Sequence, residues 1–318
     1  MNNNKERYKI FCEEHPEIPL FMQHWWMEAA SVGKEWDVLF YEENQKIKGC
    51  FVYLLVKKMG FKFIFQPELT QYGGIWIDYP PNITPYQKLK IEKRIMATLI
   101  EQIDNLKFTY FEQNCHHSVT NWLPFYWKNY KQYTRYTYQI RDLSDLNRCF
   151  ENFSGHKRRL IRKAQPQLKV RFDTSFDFFY EQASQNAIAN RQKLLYSKEL
   201  FGNIFEKSYE RNQSCLLTAF DNNENMHAGI FFVWDSQSAY YLLATINPKF
   251  NDSGAYTLLM WEAIKFSANK VNLFDFEGSI VENIENSYSQ FGTIQTPYFH
   301  IYKHNSLIFK ILIKCFKK

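Results

Sequence analysis

The sequence predicts a mixed α/β fold, an α+β arrangement on a mixed sheet, built from two copies of one unit. Three observations carry this. The 318 residues alternate strand-like and helix-like stretches, and such a length accommodates two domains of about 150 residues each. Phe (29) and Tyr (21) are frequent, which favours strands over a helical bundle. One series of elements, hairpin–strand–helix–strand, occurs twice.

In the first copy, "LFMQHWWMEAASVG" (20–33) is apolar at helical spacing, with Gly33 as its stop. "VLFYEENQKIKGCFVYL" (38–54) alternates apolar residues around a polar turn and reads as a β-hairpin. A strand near 61–66, the turn "QYGG", a helix at about 84–104 and the strand "KFTYFEQ" complete the series. In the second copy, helices fall within "SFDFFYEQASQNAIANRQKL" and at about 198–211. The hairpin "LTAFDNNENMHAGIFFVW" (217–234), the strand "AYYLLATI" (239–246), a helix at about 254–268 and the strand "KVNLFDFEG" follow. Tyr41 matches Phe220, Ile47 matches Met226 and Phe51 matches Ile230 at one constant offset. The expected division is 1–145, 146–303 and a basic amphipathic tail, 304–318.

At the joint, Ser144 is placed to cap a short helix, and the basic run His156–Lys163 lies on the next one. Helical spacing gathers Phe153, Leu160, Ile161, Ala164 and Leu168 on one face, with Arg158, Arg159, Arg162 and Lys163 opposite. Such a run is either a solvated face or a phosphate-binding surface.

The net charge of +6 is a modest bias toward anionic partners and does not suggest a DNA-binding protein. Hydrophobic content of 45% excludes a disordered chain. "MNNNKERYKIF" lacks the apolar core of a signal peptide, and no run of 18 uncharged apolar residues occurs. The expectation is therefore a cytoplasmic chain that does not span a membrane. Six scattered cysteines, without a CxxC pair, read as free thiols in a reducing compartment. No metal site is expected, although "CHH" (115–117) places ligand types side by side. The Gly-x-Ser-x-Gly, Walker and HExxH patterns are absent, so hydrolase, NTPase and metalloprotease readings lack support.

The strand "KVNLFDFEG" carries two carboxylates on one face, Asp275 and Glu277, about 7 Å apart in an extended chain. Buried carboxylates need partners or water, and two on one face repel, raising one pKa. They lie at a strand's C-terminal end, where α/β sheets place ligand crevices. Asp275 reads as a structural group or a general base, and Glu277 as a substrate contact, a base or a helix cap. Arg191, ending a helix in "AIANRQKLL", is placed to meet an anionic substrate. His227 and His300 lie in strand contexts and read as core or edge residues.

Several stretches resemble a known family: "GHKRRLIRKA", "NPKFNDSGAYTLLMWEAIKFS", "FDFEGS", "QFGTIQTPYFHIYK", "YGGIWI" and "YTYQIRDLSD". Together, over about residues 20–303, they look like the FemAB-type acyltransferases, tandem-domain members of the GNAT superfamily. The resemblance implies two tandem GNAT-like acyl-CoA N-acyltransferase domains. The implied chemistry moves an acyl group from a thioester or an aminoacyl-tRNA ester to an amine by direct attack. No cofactor would be bound permanently; acyl-CoA, or aminoacyl-tRNA, is the co-substrate. The strand holding Ala244, Thr245 and Ile246 would polarise the donor carbonyl through its N–H groups. The loop 247–257, with Asn251, Ser253, Gly254 and Ala255, would meet the pyrophosphate; read structurally, Gly254 with Asp252 or Ser253 is an N-cap. Arg158, Arg162, Arg191 and Ser279 would contact substrate.

Two departures from the family pattern stand out. The loop keeps one glycine, and Tyr256 holds a position that is usually small. Tyr288 stands where aminoacyl-tRNA-dependent relatives carry a Lys three residues before Phe-Gly, which moves weight toward a thioester donor. Tyr288 reads as a proton donor to the leaving group or as a core aromatic.

The expected acceptor is an amine, small or lipid-linked, on a cell-envelope or other glycan precursor. The alternatives are an aminoacyl-tRNA-dependent peptidoglycan bridge aminoacyltransferase and a non-catalytic phosphate-ligand binding module. The tail "NSLIFKILIKCFKK" puts Lys310, Lys314 and Lys317 on one helical side. It would either rest on an anionic inner-membrane surface or cover a sheet.

Overall fold

The structure is a computed structural model that describes residues 3–278 and 280–306. The chain forms two compact units, Met1–Arg135 joined by the stretch beginning at Pro297, and Tyr136–Thr296.

In the first unit, β1 (Glu35–Glu43) and β2 (Lys46–Lys58) form the expected hairpin, Val38 opposite Val52. Its turn places Asn44 and Gln45 at φ 51° and 62°, a pair of left-handed residues whose twist suits a two-residue hairpin. β3 (Phe61–Phe65), β4 (Gly74–Ile77) and β5 (Tyr110–Asn114) extend the sheet, with β4 and β3 on successive stretches of β2. β12 (Ile294–His304) closes the other side, His300 opposite Asn114. α1 (Asn3–Glu14) and α2 (His24–Ala30) cover one face, where Tyr8, Phe11 and Met27 meet Trp36, Val38 and Val52. α3 (Pro85–Asn105) covers the other, burying Ile95, Leu99 and Ile103 against Phe51, Ile64 and Phe111. It starts at Thr84, whose hydroxyl accepts the Gln87 N–H while the Gln87 side chain caps Thr84. α4 (Leu123–Trp127) adds Phe125 to that core.

In the second unit, the end of β6 (Lys131–Ile140) begins a sheet that continues β11 (Leu273–Asp275), β10 (Ser238–Ile246), β9 (Met226–Trp234), β8 (Ser214–Phe220) and β7 (Lys169–Arg171). Adjacent residues of β9 serve opposite faces. Phe232 packs with Phe266 of α9 (Ala255–Ser267) and with Phe274. Phe231 packs with Phe201 and Phe205 of α8 (Lys198–Glu210). α7 (Phe176–Ala189) joins α8 through Phe176 and Phe179. α5 (Leu146–Asn152) and α6 (Gly155–Ala164) share the α9 core, as Phe150 and Phe153 meet Trp261. α10 (Glu282–Ser289) follows β11.

The division differs from the expected 1–145 and 146–303. Gln139 and Ile140 pair with β11 in the second unit, which begins at Tyr136, while His300–His304 pair with β5 in the first, to which the chain returns at Pro297. Each unit is completed by a strand distant in sequence, which local patterning does not register. The helix expected to be capped by Ser144 is capped by Asp145, which accepts the Arg148 N–H at 3.0 Å; Ser144 bonds Asp142 instead. Residues 307–318, and with them most of the expected basic tail, lie outside the described residues.

Candidate functional site

β10 and β11 run parallel over only three pairs, Ser238–Leu273, Ala239–Phe274 and Tyr240–Asp275. Beyond Tyr240, β10 continues to Ile246 with one edge on β9, and its register slips between Tyr241 and Leu243. This is a β-bulge, a device that re-aims a strand and ends its pairing. Among the described residues no strand pairs with the other edge of Leu243–Ile246. The three positions singled out there, Ala244, Thr245 and Ile246, therefore lie on a parted strand. Thr245 is buried and accepts a 2.9 Å bond from Asn186 of α7.

β11 stops at Asp275, three residues short of the expected strand end. Asp275 is fully buried. Its carboxylate accepts from the Thr137 hydroxyl, from Gln139 Nε2 at 2.8 Å and from the Glu277 N–H at 2.8 Å. Gln139 is held in turn, its Oε1 accepting from Thr296 at 3.0 Å and from Arg141 Nε at 3.3 Å. Asp275 is thus an anchor that ties the strand end to β6. The chain then turns sharply, with Glu277 and Gly278 both at φ 59°. A side chain at Gly278 would run into the Tyr136 carbonyl oxygen, so the close approach requires glycine. Glu277, a non-glycine residue in the left-handed region, is held in a conformation seen at few positions.

Glu277 is buried from solvent on its carboxyl, and its Oε1 has no hydrogen-bond partner. Burial, and next the charge of Asp275, hold its pKa well above the usual carboxylate range. Around it lie three tyrosines. Tyr241, on the bulge, hydrogen-bonds Tyr256 of α9 and packs edge-on to Tyr288 of α10 at 6.2 Å. Tyr288 lies 5.3 Å from Phe276. Burial raises all three phenols, Tyr256 to about 12.

α6 contributes a buried cation, Lys157. Its Nζ donates to Ser287 Oγ at 3.0 Å and sits 4.5 Å over the Phe291 ring. Burial lowers its pKa to about 8, and no carboxylate pairs with it among the described residues. Beside it, the buried Nε of Arg158 has no partner, whereas Arg162 is exposed, its guanidinium 5.7 Å from the Phe150 ring. Gly254 caps α9 at φ 78°, and a side chain there would meet the Leu160 carbonyl at 2.9 Å. Ser253 Oγ already accepts the Ala255 N–H at 3.3 Å, and Asn251 lies in a 3-10 turn, Pro248–Ser253.

Asp275, Glu277 and Tyr288 gather with Tyr241 of β10 at the parting of the strands, with Arg158 on the neighbouring α6, while Ala244, Thr245 and Ile246 lie farther along β10. Arg191 does not join them; it is exposed, two residues past α7 at φ 55°. Ser279 lies outside the described residues. Thr137, Gln139, Lys157, Tyr241 and Tyr256 were not singled out from the sequence. Only Tyr256, bulky at a position expected to be small, gave a signal. Among the described residues no cluster of three His, Cys, Asp or Glu is arranged for a metal; at 115–117, His116 Nδ1 instead meets Ser118 Oγ at 2.8 Å.

Residues 147–282, which contain this site, match the family model described as Acetyltransferase (GNAT) domain. The matched stretch makes up most of the second unit. Known structures agree on the fold. FemX superposes with a TM-score of 0.70 at 11% identity, covering 94% of this chain and 96% of its own. L-PGS from Bacillus licheniformis gives 0.55 at 11% identity over 96% and 94%. A tandem GNAT protein from the clavulanic acid biosynthesis pathway gives 0.54 at 8% identity over 89% and 94%. No curated protein sequence matches the chain. The fold is the mixed α/β one expected, shared with these structures over nearly the whole chain, and the match of residues 147–282 to an acetyltransferase domain supports an enzyme that transfers acyl groups. Among the described residues no helix is long and apolar enough to cross a membrane.

Proposed function

We propose that the second unit is an N-acyltransferase that takes an acyl thioester of the acyl-CoA type along the unpaired edge of β10. The observation that carries this reading is the parting of β10 from β11 at a bulge, beside a buried carboxyl with an unpartnered oxygen. The edge N–H groups of Ala244–Ile246 polarise the donor carbonyl. The acceptor amine attacks that carbon, a C–N bond forms and the C–S bond breaks. Glu277 takes the proton that the amine loses; burial makes it a stronger base than an exposed carboxylate. A tyrosine of the Tyr241–Tyr256–Tyr288 cluster returns a proton to the departing thiolate. Asp275 holds the strand end in place and is not the base.

The donor's phosphates are met only in part by the loop. Asn251, Ser253, Gly254 and Ala255 approach the start of α9, but the Ala255 N–H is already engaged by Ser253. Lys157 and Arg158 supply the positive charge that the loop lacks, with the exposed Arg162 and Arg191 as outer contacts. The acceptor class, an amine of a cell-envelope or glycan precursor, small or lipid-linked, rests on the resemblance to FemAB-type enzymes. So does a peripheral position at the inner membrane.

A second reading, an aminoacyl-tRNA donor as in peptidoglycan bridge synthesis, is favoured by one observation. Tyr288 replaces the lysine of tRNA-dependent relatives, yet Lys157 brings an ammonium from α6 onto Ser287 and Phe291, either side of Tyr288.

The test is thermal stabilisation by a panel of acyl-CoAs, followed by transfer to amine acceptors. A ligand binding at ~10 μM, supplied at millimolar concentration, raises stability by about 3 kcal/mol. Glu277→Gln is expected to keep that shift and lose about 100-fold or more in transfer. A shift with charged tRNA alone supports the second reading. Silence with both donors supports a binding module that only recognises phosphate-bearing ligands.

A further inference from the structure

The first unit repeats the strand arrangement of the second, and the repeat ends in a cavity. β3 and β5 run parallel over two pairs, Phe63–Tyr110 and Ile64–Phe111, then separate. Counting from these registers, Phe111 stands where Asp275 stands in the second unit, and Gln113 stands where Glu277 stands. Gln113 is buried and its Oε1 has no partner, as with Glu277. An amide takes up no proton near neutral pH, so this position does not support a general base.

The parted edge is also closed. Gln66 Oε1 accepts the Asn114 N–H at 2.7 Å, and the Asn114 carbonyl accepts the Gly73 N–H at 2.8 Å. A ligand here is therefore read by side chains, not by strand pairing. The cavity is about 400 Å³. Arg135 and Glu112 both line it, yet neither closes on the other as an ion pair. Arg135 is half-buried and makes no contact ion pair among the described residues, while its charge helps to hold Glu112 ionised from a distance. Glu112 keeps its charge: the Tyr110 hydroxyl donates to it at 2.6 Å, and His300 Nε2 lies at 3.6 Å. His300 is itself fixed, since Asn114 Nδ2 donates to the Gln71 carbonyl and leaves Oδ1 for His300 Nδ1 at 2.7 Å. Val56 and Phe65 supply an apolar wall.

We propose that this cavity is a second ligand site, for a zwitterionic amino acid with an apolar side chain: the carboxylate meets Arg135, the ammonium meets Glu112, and the side chain lies on Val56 and Phe65. Arginine and carboxylate are matched by fork geometry and charge, and Arg135 and Glu112, lining one cavity without direct contact, leave room for a ligand that bridges them. The site is separate from the acyl-transfer reading and does not depend on it.

The test is calorimetry on the full chain with three probes of one shape: L-leucine, 4-methylpentanoate, which keeps only the carboxylate, and 3-methylbutylamine, which keeps only the ammonium. Leucine is expected to bind, and each analogue to bind about tenfold or more weakly. Arg135→Gln and Glu112→Gln should each weaken leucine by about tenfold or more, while Glu277→Gln leaves leucine binding unchanged. The analogues act on the unaltered protein, so they decide the question even if a variant folds poorly. Equal binding of leucine and 4-methylpentanoate would show a simple anion site and overturn the proposal. So would absence of leucine binding at millimolar concentration, or binding that survives both variants.

Discussion

Replacing Asp275 by Asn separates the roles of the two acids. Asp275 Oδ1 accepts from Thr137 and from the Glu277 N–H, and Oδ2 accepts from Gln139 Nε2. Asparagine keeps the first two bonds but turns an NH2 toward the Gln139 NH2. Gln139 cannot flip cheaply, because its Oε1 already serves Thr296 and Arg141. A lost charge-assisted bond and two buried donors facing each other cost about 3–5 kcal/mol. Relief from burying a carboxylate offsets part of this, leaving about 2–3 kcal/mol. For a unit of this size the melting temperature falls by roughly 2–4 °C per kcal/mol, so a loss of roughly 5–10 °C is expected. Thermal and urea unfolding followed by circular dichroism measure it. A variant within about 0.5 kcal/mol of the parent would refute the anchor assignment.

Glu277→Gln should behave in the opposite way. The folded state raises the Glu277 pKa, so the native protein holds that proton more tightly than the unfolded chain. Stability from this group is full below the unfolded carboxylate range and declines as pH rises toward the folded value. The parent-minus-variant stability difference should therefore fall steadily as pH rises above the ordinary carboxylate range in paired urea titrations. A base with this pKa also predicts transfer that rises with pH through a value well above the ordinary carboxylate range, in a pH–kcat/KM profile. Lys157→Met should be tolerated or stabilising at pH 7, because the ammonium, held near a pKa of about 8, is buried without a carboxylate. Donor affinity of that variant should fall, read as a lost thermal shift with acyl-CoA. Gly278→Ala should destabilise the second unit by about 2–4 kcal/mol, from the left-handed φ and the collision with Tyr136; urea unfolding checks it.

Strong periodicity made much of this fold legible. Both hairpins, the strand 238–246 and helices α3, α7, α8 and α9 fall close to where alternation and capping place them. Glu277 drew notice because a carboxylate in an apolar strand is costly unless it has a purpose. The partners of the acids were not legible. Thr137 and Gln139 sit in "YTYQI", which reads as a linker until its pairing with β11 is seen. Lys157 belongs to a basic run whose face assignment treats every cation alike, while the fold buries this one and leaves Arg159, Arg162 and Lys163 in water. The pairing of Gln139 and Ile140 with β11, and of His300–His304 with β5, is long-range, and no local pattern encodes it.

Amide hydrogen exchange resolved along β10, with and without a saturating acyl-CoA, addresses the acyl-transfer site most directly. Protection of Leu243–Ile246 on donor binding, with the first unit unchanged, is the expected result. Stabilisation by donor without protection there, or with protection confined to the first unit, would contradict the placement of the donor beside Glu277.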